Sequence, residues 1–194
     1  MTQIDMRTLT TFAAALALTA GAALAQNKGG GGGIPSPLKI TVSGYSDGGD
    51  IPDKYTCAAK PPGGSPEISW SGAPAGTMTF ALIFHDGDVH PGKTFSDVTH
   101  WIAWNIPASA TTLPANVAGT ADLPDGTRQG MNIARRAGYM GPCPPPGLPH
   151  HYTLELYALD SKLDLAASAA REDLEKAMSG HILASGVYNG LFHR

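Results

Sequence analysis

The stretch that most limits what this chain can fold into is residues 139–152, Tyr139-Met140-Gly141-Pro142-Cys143-Pro144-Pro145-Pro146-Gly147-Leu148-Pro149-His150-His151-Tyr152. Five prolines and two glycines exclude a helix here, and prolines cannot donate to a central sheet ladder. The stretch is therefore a stiff loop whose shape is largely set before anything binds. It runs into a strand-like segment, residues 151–159, so His150 and Tyr152 stand where rigid loop meets sheet. Ordered loops that deliver polar side chains to one place are common binding sites. A plain surface connection with incidental histidines is the competing reading.

A chain of 194 residues is long enough for one domain with a full core. Hydrophobic content of 42%, charged content of 15%, 24 glycines and 16 prolines suggest a β-rich, loop-rich domain rather than a helical bundle. Net charge is −3, and no basic run alternates with aromatics, which argues against a nucleic-acid partner. Residues 11–25 form an apolar run ending Ala23-Leu24-Ala25, a small-x-small cleavage pattern. Fifteen residues are too few to span a bilayer, which disfavours a retained transmembrane anchor. Export to the periplasm or medium is the expectation, with residues 1–25 as signal peptide. Residues 26–37 are a linker carrying five consecutive glycines, and 38–194 form the domain. Cys57 and Cys143 then enter an oxidising compartment, where a lone pair is expected to form a disulfide. Such a bridge would pin the proline loop to the segment around residue 57.

Alternation of Leu38, Ile40 and Val42 with polar residues predicts a half-buried strand. The acidic glycine stretch Asp47-Gly48-Gly49-Asp50 lacks the further oxygen ligands of a calcium loop and reads as a solvated turn. Residues 68–70 read as a short strand and 78–84 as a strand buried on both faces. Residues 100–106 are the next strand, with Trp101, Ala103 and Asn105 on one face and Ile102, Trp104 and Ile106 on the other. The long irregular run 108–138 is expected to be functional or to hide short elements. Residues 171–178 are the one good helix, with Leu174, Ala177 and Met178 on a common face and Ser168 as a weak cap. His181, Ile182 and Leu183 are candidates to continue it, so the order reads as strands followed by a C-terminal helix.

Three clusters carry chemistry: Asp86 and Asp88 at the end of one buried strand, His100 at the start of the next, and His150 with Tyr152 after the proline loop. Successive strands usually lie close together, so the clusters are expected to converge. A carboxylate beside an imidazole favours its protonated form. The loop adds backbone N–H groups at Gly141, Cys143 and Gly147, which suits a small anion. A metal site from His85, Asp86, His90 and His100 is chemically allowed but disfavoured. His85, His90 and His151 read as exposed or rim residues, and Trp70, Trp101 and Trp104 as core or wall.

With these residues in view the chain resembles a known family. The matching motifs are Tyr55-Thr56-Cys57, Ser65-Pro66 before Trp70, Pro74-Ala75-Gly76-Thr77, Asp86-x-Asp88, and His100-Trp101 leading into Asn105-Ile106-Pro107. Further along come Gly138-Tyr139-x-Gly141-Pro142-Cys143-Pro144-Pro145-x-Gly147 with His150-x-Tyr152, then Tyr157-Ala158-Leu159-Asp160 and Gly180-His181-Ile182-Leu183. Together they resemble the phosphatidylethanolamine-binding protein family in its bacterial Raf-kinase-inhibitor-like branch, over about residues 38–194. The resemblance implies a mainly β fold, a two-sheet Greek-key sandwich with a few peripheral helices, including one near the C-terminus. It also implies a ligand pocket of Asp86, Asp88, His100, Gly141, Pro144, His150 and Tyr152, taking a phosphate or a phospholipid head group.

Three departures stand out. Gly87 replaces the usual proline between the aspartates, Asn132-Ile133-Ala134-Arg135 replaces the usual Asn-Asp-Phe-Gly, and His151 replaces the usual arginine. The favoured function is a non-catalytic binding protein for a small anionic group, modulating a protein partner of unknown identity. A weak hydrolase or phosphatase would use His100 or His150 as base, with Asp86 or Asp88 as orienter. No Gly-x-Ser-x-Gly elbow supplies a nucleophile, and no cofactor, metal or catalytic residue is assigned. Inhibition of an exported protease or of a kinase pathway is a third reading, suggested by the eukaryotic relatives alone.

Overall fold

The computed structural model describes residues 37–194. The segment read as a signal peptide and most of the glycine linker lie outside the described residues. In chain order the strands are β1 (Lys39–Val42), β2 (Gly49–Asp50), β3 (Ile68–Ser71), β4 (Thr79–Asp86), β5 (Val98–Pro107), β6 (Thr112–Leu113), β7 (Arg128–Gln129), β8 (His150–Leu159) and β9 (Ile182–Phe192). One α-helix, α1 (Arg171–Met178), separates β8 from β9. The strands build a three-stranded sheet, β1-β3-β6, and a six-stranded sheet, β2-β9-β8-β4-β5-β7. The fold is therefore mainly β, with two sheets and a peripheral helix. No helix among the described residues is long and apolar enough to cross a membrane.

The central strand β4 is buried at every position, which is why its sequence reads as an apolar run rather than an alternation. Phe80, Leu82 and Phe84 enter the core between the sheets with Trp70, Trp101 and Leu156. Ala81 and Ile83 face the other way, into a second core with Ile102, Trp104, Leu174 and Met178 of α1. The strand is longer than its apolar stretch suggests, because His85 and Asp86 stay in the ladder, paired with Thr153 and Tyr152. At the other end Met78 is 56% exposed and lies outside the strand.

Four expectations are corrected. Strict alternation fails in β5, where Asn105 adopts φ 56° and the register against β4 slips between Phe80 and Leu82. An extra residue in one strand of an antiparallel pair re-aims the side chains beyond it. Ile106 therefore joins Trp101 and Ala103 in the inter-sheet core, while Asn105 turns away and exchanges two hydrogen bonds with the Leu163 backbone, 2.9 and 2.8 Å. Second, α1 starts from Ala170 rather than Ser168, and its first turn is closed by Asp173, which accepts from the Ala170 N–H at 2.9 Å. Third, the helix does not continue through residues 181–183. Gly180, at φ 85°, ends it in the left-handed conformation that glycine adopts without strain.

Fourth, the chain ends in a strand and not in a helix. β9 pairs antiparallel with β8 along its whole length, from Leu159↔Ile182 to His150↔Phe192. Its inward positions are Ala184, Gly186, Tyr188, Gly190 and Phe192, so two glycines stand where a strand normally shows apolar bulk. The reason is close approach: a Cβ on Gly186 would lie 2.4 Å from the Leu38 carbonyl oxygen.

The run 108–138 contains two short strands, β6 and β7, and is tied down by one buried side chain. Gln129 accepts from the Trp101 indole at 2.6 Å, and its amide donates to the carbonyls of Ala118 and Thr120. Gly186→Ala is expected to lower stability by about 1–3 kcal/mol, the usual cost of overpacking. The shift in urea midpoint at unchanged slope checks this.

Candidate functional site

β4, β5 and β8 bring the predicted residues to one end of the large sheet. Asp86, the last residue of β4, is 3% exposed and lies opposite Tyr152 of β8 in the ladder. Burying a carboxylate is costly unless it is paired, and Asp86 receives the His150 ring through Nδ1 at 2.8 Å. Two residues on, Asp88 accepts from the His151 backbone N–H at 2.5 Å and pairs with its Nδ1 at 2.9 Å. Partial burial works against the Asp88 carboxylate, but these two contacts outweigh it and hold its pKa below the usual range. His151 is thus a rim residue, as expected, with a definite partner.

His100 of β5 is 3% exposed, and its ring meets Tyr152 edge-on with centroids 5.3 Å apart. Its Nδ1–H donates to the Met140 carbonyl at 2.9 Å, while the Met140 N–H donates to the His100 carbonyl at 3.0 Å. The expectation that a neighbouring carboxylate keeps this imidazole protonated is corrected. Burial dominates and lowers its pKa, with the Met140 carbonyl and the Asp86 charge opposing.

Tyr152 is fully buried. Its hydroxyl faces the Asp86 carboxylate and the Cys143 backbone but completes a hydrogen bond with neither. Burial, then the Asp86 charge, push its phenol far above the usual range. Such an orphaned buried hydroxyl is uncommon and calls for an explanation.

The proline loop forms a lip over this end of the sheet, fastened at several points. The Cys57–Cys143 disulfide spans 86 residues of sequence, the Cys57 N–H donates to the Pro142 carbonyl at 3.0 Å, and the Tyr139 hydroxyl donates to the Tyr55 carbonyl at 2.8 Å. Gly141 is required because a Cβ there would lie 2.6 Å from that same carbonyl oxygen. Pro144 is buried, and its carbonyl accepts from Arg194 Nε at 2.7 Å. The Gly147 N–H is taken by the Arg194 carbonyl. The N–H groups of Gly141 and Cys143 make no backbone–backbone hydrogen bond among the described residues, and that of Cys143 faces the Tyr152 hydroxyl.

All seven predicted residues therefore gather in one region. The roles of Met140, Tyr55 and Arg194 escape a sequence reading, because Met140 and Tyr55 act through backbone atoms and Arg194 is far away in sequence. His85 is corrected from exposed to buried, at 9% exposure. Strand alternation turns it to the face opposite Asp86, where its Nδ1 pairs with Asp97 at 2.6 Å and Arg171 holds the other carboxylate oxygen at 2.5 Å. His85 and Asp86 therefore belong to different faces and not to one coordination set.

Two measurements test this geometry. Replacing both cysteines by serine is expected to cost about 4–5 kcal/mol in the chain-entropy model for so long a loop, read from urea unfolding. Because the folded chain binds the His100 proton less readily than the unfolded chain, this group's contribution to stability is complete above the ordinary histidine range. It is lost progressively as pH falls below that range. Imidazole nitrogen NMR should show His100 neutral, with its proton on Nδ1, at pH 6.5 and somewhat below.

The comparisons agree with this architecture. A family model described as phosphatidylethanolamine-binding protein matches residues 41–193. A UPF0098 protein of Methanothermobacter thermautotrophicus is 42% identical over 157 residues, covering 81% of this chain and 99% of the relative. The crystal structure of Escherichia coli YbcL superposes with a TM-score of 0.72 at 30% identity, covering 82% of this chain and 99% of YbcL. That of CT736 from Chlamydia trachomatis gives 0.71 at 33%, covering 81% and 98%. With a matching family model across nearly all the described residues and the same two-sheet fold, the chain belongs to the phosphatidylethanolamine-binding protein family.

Proposed function

We propose that the chain is a non-catalytic binding protein whose mouth beneath the proline lip takes a small phosphate-type anion, free or as a phospholipid head group. The observation that carries this reading is the buried Tyr152 hydroxyl without a completed hydrogen bond, beside the N–H groups of Gly141 and Cys143, which make no backbone–backbone bond among the described residues. An anion supplies acceptors to all three, and preformed backbone donors on a rigid loop are a recurring way of holding phosphate. The Asp86–His150 contact fits the same purpose, since it satisfies the buried carboxylate before an anion arrives.

The proposal extends to location and partner. Export to the periplasm or medium rests on the apolar run and the Ala23-Leu24-Ala25 pattern, and a disulfide suits that compartment. Modulation of a protein partner is the further role this reading assigns.

The Asp86–His150 contact also favours a second reading, because an oriented imidazole is the core of a general-base site. Titration calorimetry with inorganic phosphate and phosphoethanolamine separates the two. Binding is expected for both, weakened at least tenfold by His150→Ala and by Tyr152→Phe. Turnover of p-nitrophenyl phosphate that disappears in His100→Ala and His150→Ala would replace the binding reading with the hydrolase.

A further inference from the structure

A concavity lies on the side of the lip formed with residues 56–63 and 132–137, sharing only Gly141 and Cys143 with the residues assigned to the anion mouth. Its volume is about 460 Å³, within the range of roughly 300 to 1,000 Å³ typical of small-molecule sites. One wall is the lip itself, through Met140, Gly141 and the Cys57–Cys143 bridge, and the facing wall includes Pro62, Ala134 and Ala137. The facing wall is apolar in these side chains, and the lip adds backbone, the Met140 side chain and the disulfide.

The polar side chains lining this cleft are committed elsewhere, with one exception. Thr56 Oγ1 donates to the Asp53 carbonyl and accepts from the Ala58 N–H. The Asn132 amide donates to the Gly138 carbonyl, and its oxygen accepts from the N–H groups of Ala134 and Arg136. The Tyr139 hydroxyl is spent on the Tyr55 carbonyl. The exception is Arg136. Among the described residues the arginine ion pairs belong to Arg128 and Arg171, and no carboxylate lines the cleft. Among the described residues Arg136 is thus the only charged one lining the cleft, an exposed guanidinium without an ion-pair partner beside apolar side chains.

We propose that this cleft is a separate ligand site for an apolar molecule carrying one acid group, the body lying between the lip and Ala134 and the acid on Arg136. A guanidinium presents paired N–H donors that match a carboxylate in two-point fashion. A cationic ligand meets repulsion there, and a neutral one leaves the guanidinium's donors to water. The site shares Gly141 and Cys143 with the anion mouth, but its acid-binding group, Arg136, lies outside that set, so it stands or falls without the anion reading.

Titration calorimetry with three naphthalene compounds of matched size tests the proposal: 2-naphthoate, 2-naphthamide and 2-naphthylmethylammonium. The carboxylate is expected to bind at least tenfold more tightly than the amide, and the ammonium compound not at all. Arg136→Gln should bring 2-naphthoate down to the level of the amide, a loss of about tenfold or more for a hydrogen bond to a charged group. Ala134→Phe, at an exposed position, should fill the cleft and abolish binding. His150→Ala, in the mouth, should leave it unchanged, and inorganic phosphate affinity should be the same in Arg136→Gln and Ala134→Phe as in the parent. No binding of 2-naphthoate, equal affinity for the amide, indifference to Arg136→Gln, or loss in His150→Ala with Ala134→Phe indifferent, would each overturn the proposal.

Discussion

The candidate site depends on one interaction above the others, the pairing of buried Asp86 with His150 across β4 and β8. A carboxylate 3% exposed is an expensive thing to place at the end of a core strand, and removing its partner leaves an uncompensated buried charge. The contact is therefore mutual. β4 can carry Asp86 into the interior because β8 begins with His150, and His150 is fixed in orientation because Asp86 lies there to receive it. Everything at the mouth is arranged around that pair: Tyr152 opposite Asp86 in the ladder, His100 edge-on to Tyr152, and the lip above.

The other face of the same strand end is held by different chemistry. His85 pairs with Asp97, Asp97 with Arg171, and Arg171 with Glu175 one turn along α1. This chain of contacts runs from β4 to the helix through partly buried groups, where ion pairs are screened less than at the surface. Strand alternation makes the division unavoidable, since consecutive residues point to opposite faces. His85 and Asp86 are adjacent in β4, so the two networks meet at this strand end.

Local signals made much of this legible. The apolar run of β4, bounded by turn residues, announced a strand buried on both faces, and the proline density of 142–149 announced a rigid lip. A lone cysteine pair behind an apolar N-terminal run with a small-x-small pattern pointed to the Cys57–Cys143 bridge. The motif set Asp86, His100, His150 and Tyr152 predicted a cluster that the topology does assemble. What stayed hidden was set by contacts at long range. β9 does not look like a strand because Gly186 and Gly190 occupy its core face, and only the closeness of Leu38 and Ile51 explains them. The bulge at Asn105 is invisible to any two-residue periodicity. His85 looked exposed because its partners, Asp97 and Glu155, lie 12 and 70 residues away.

The two sides of the lip carry opposite chemistry while sharing one backbone. On the side of Asp86 and His150 the strand ends contribute carboxylates and imidazoles, so the proposed anion would rely on donors that carry no full charge of their own: two N–H groups and a phenol. On the side of Arg136 no carboxylate among the described residues lines the wall, and the proposed acid group would rely on the guanidinium. Residues 140–143 serve both, and they can do so only if they do not move. The disulfide, the Tyr139 and Cys57 hydrogen bonds and the close seat of Gly141 on Tyr55 together supply that rigidity. A prearranged loop avoids an ordering cost each time a ligand arrives, which is the physical reason for so much proline in so short a segment.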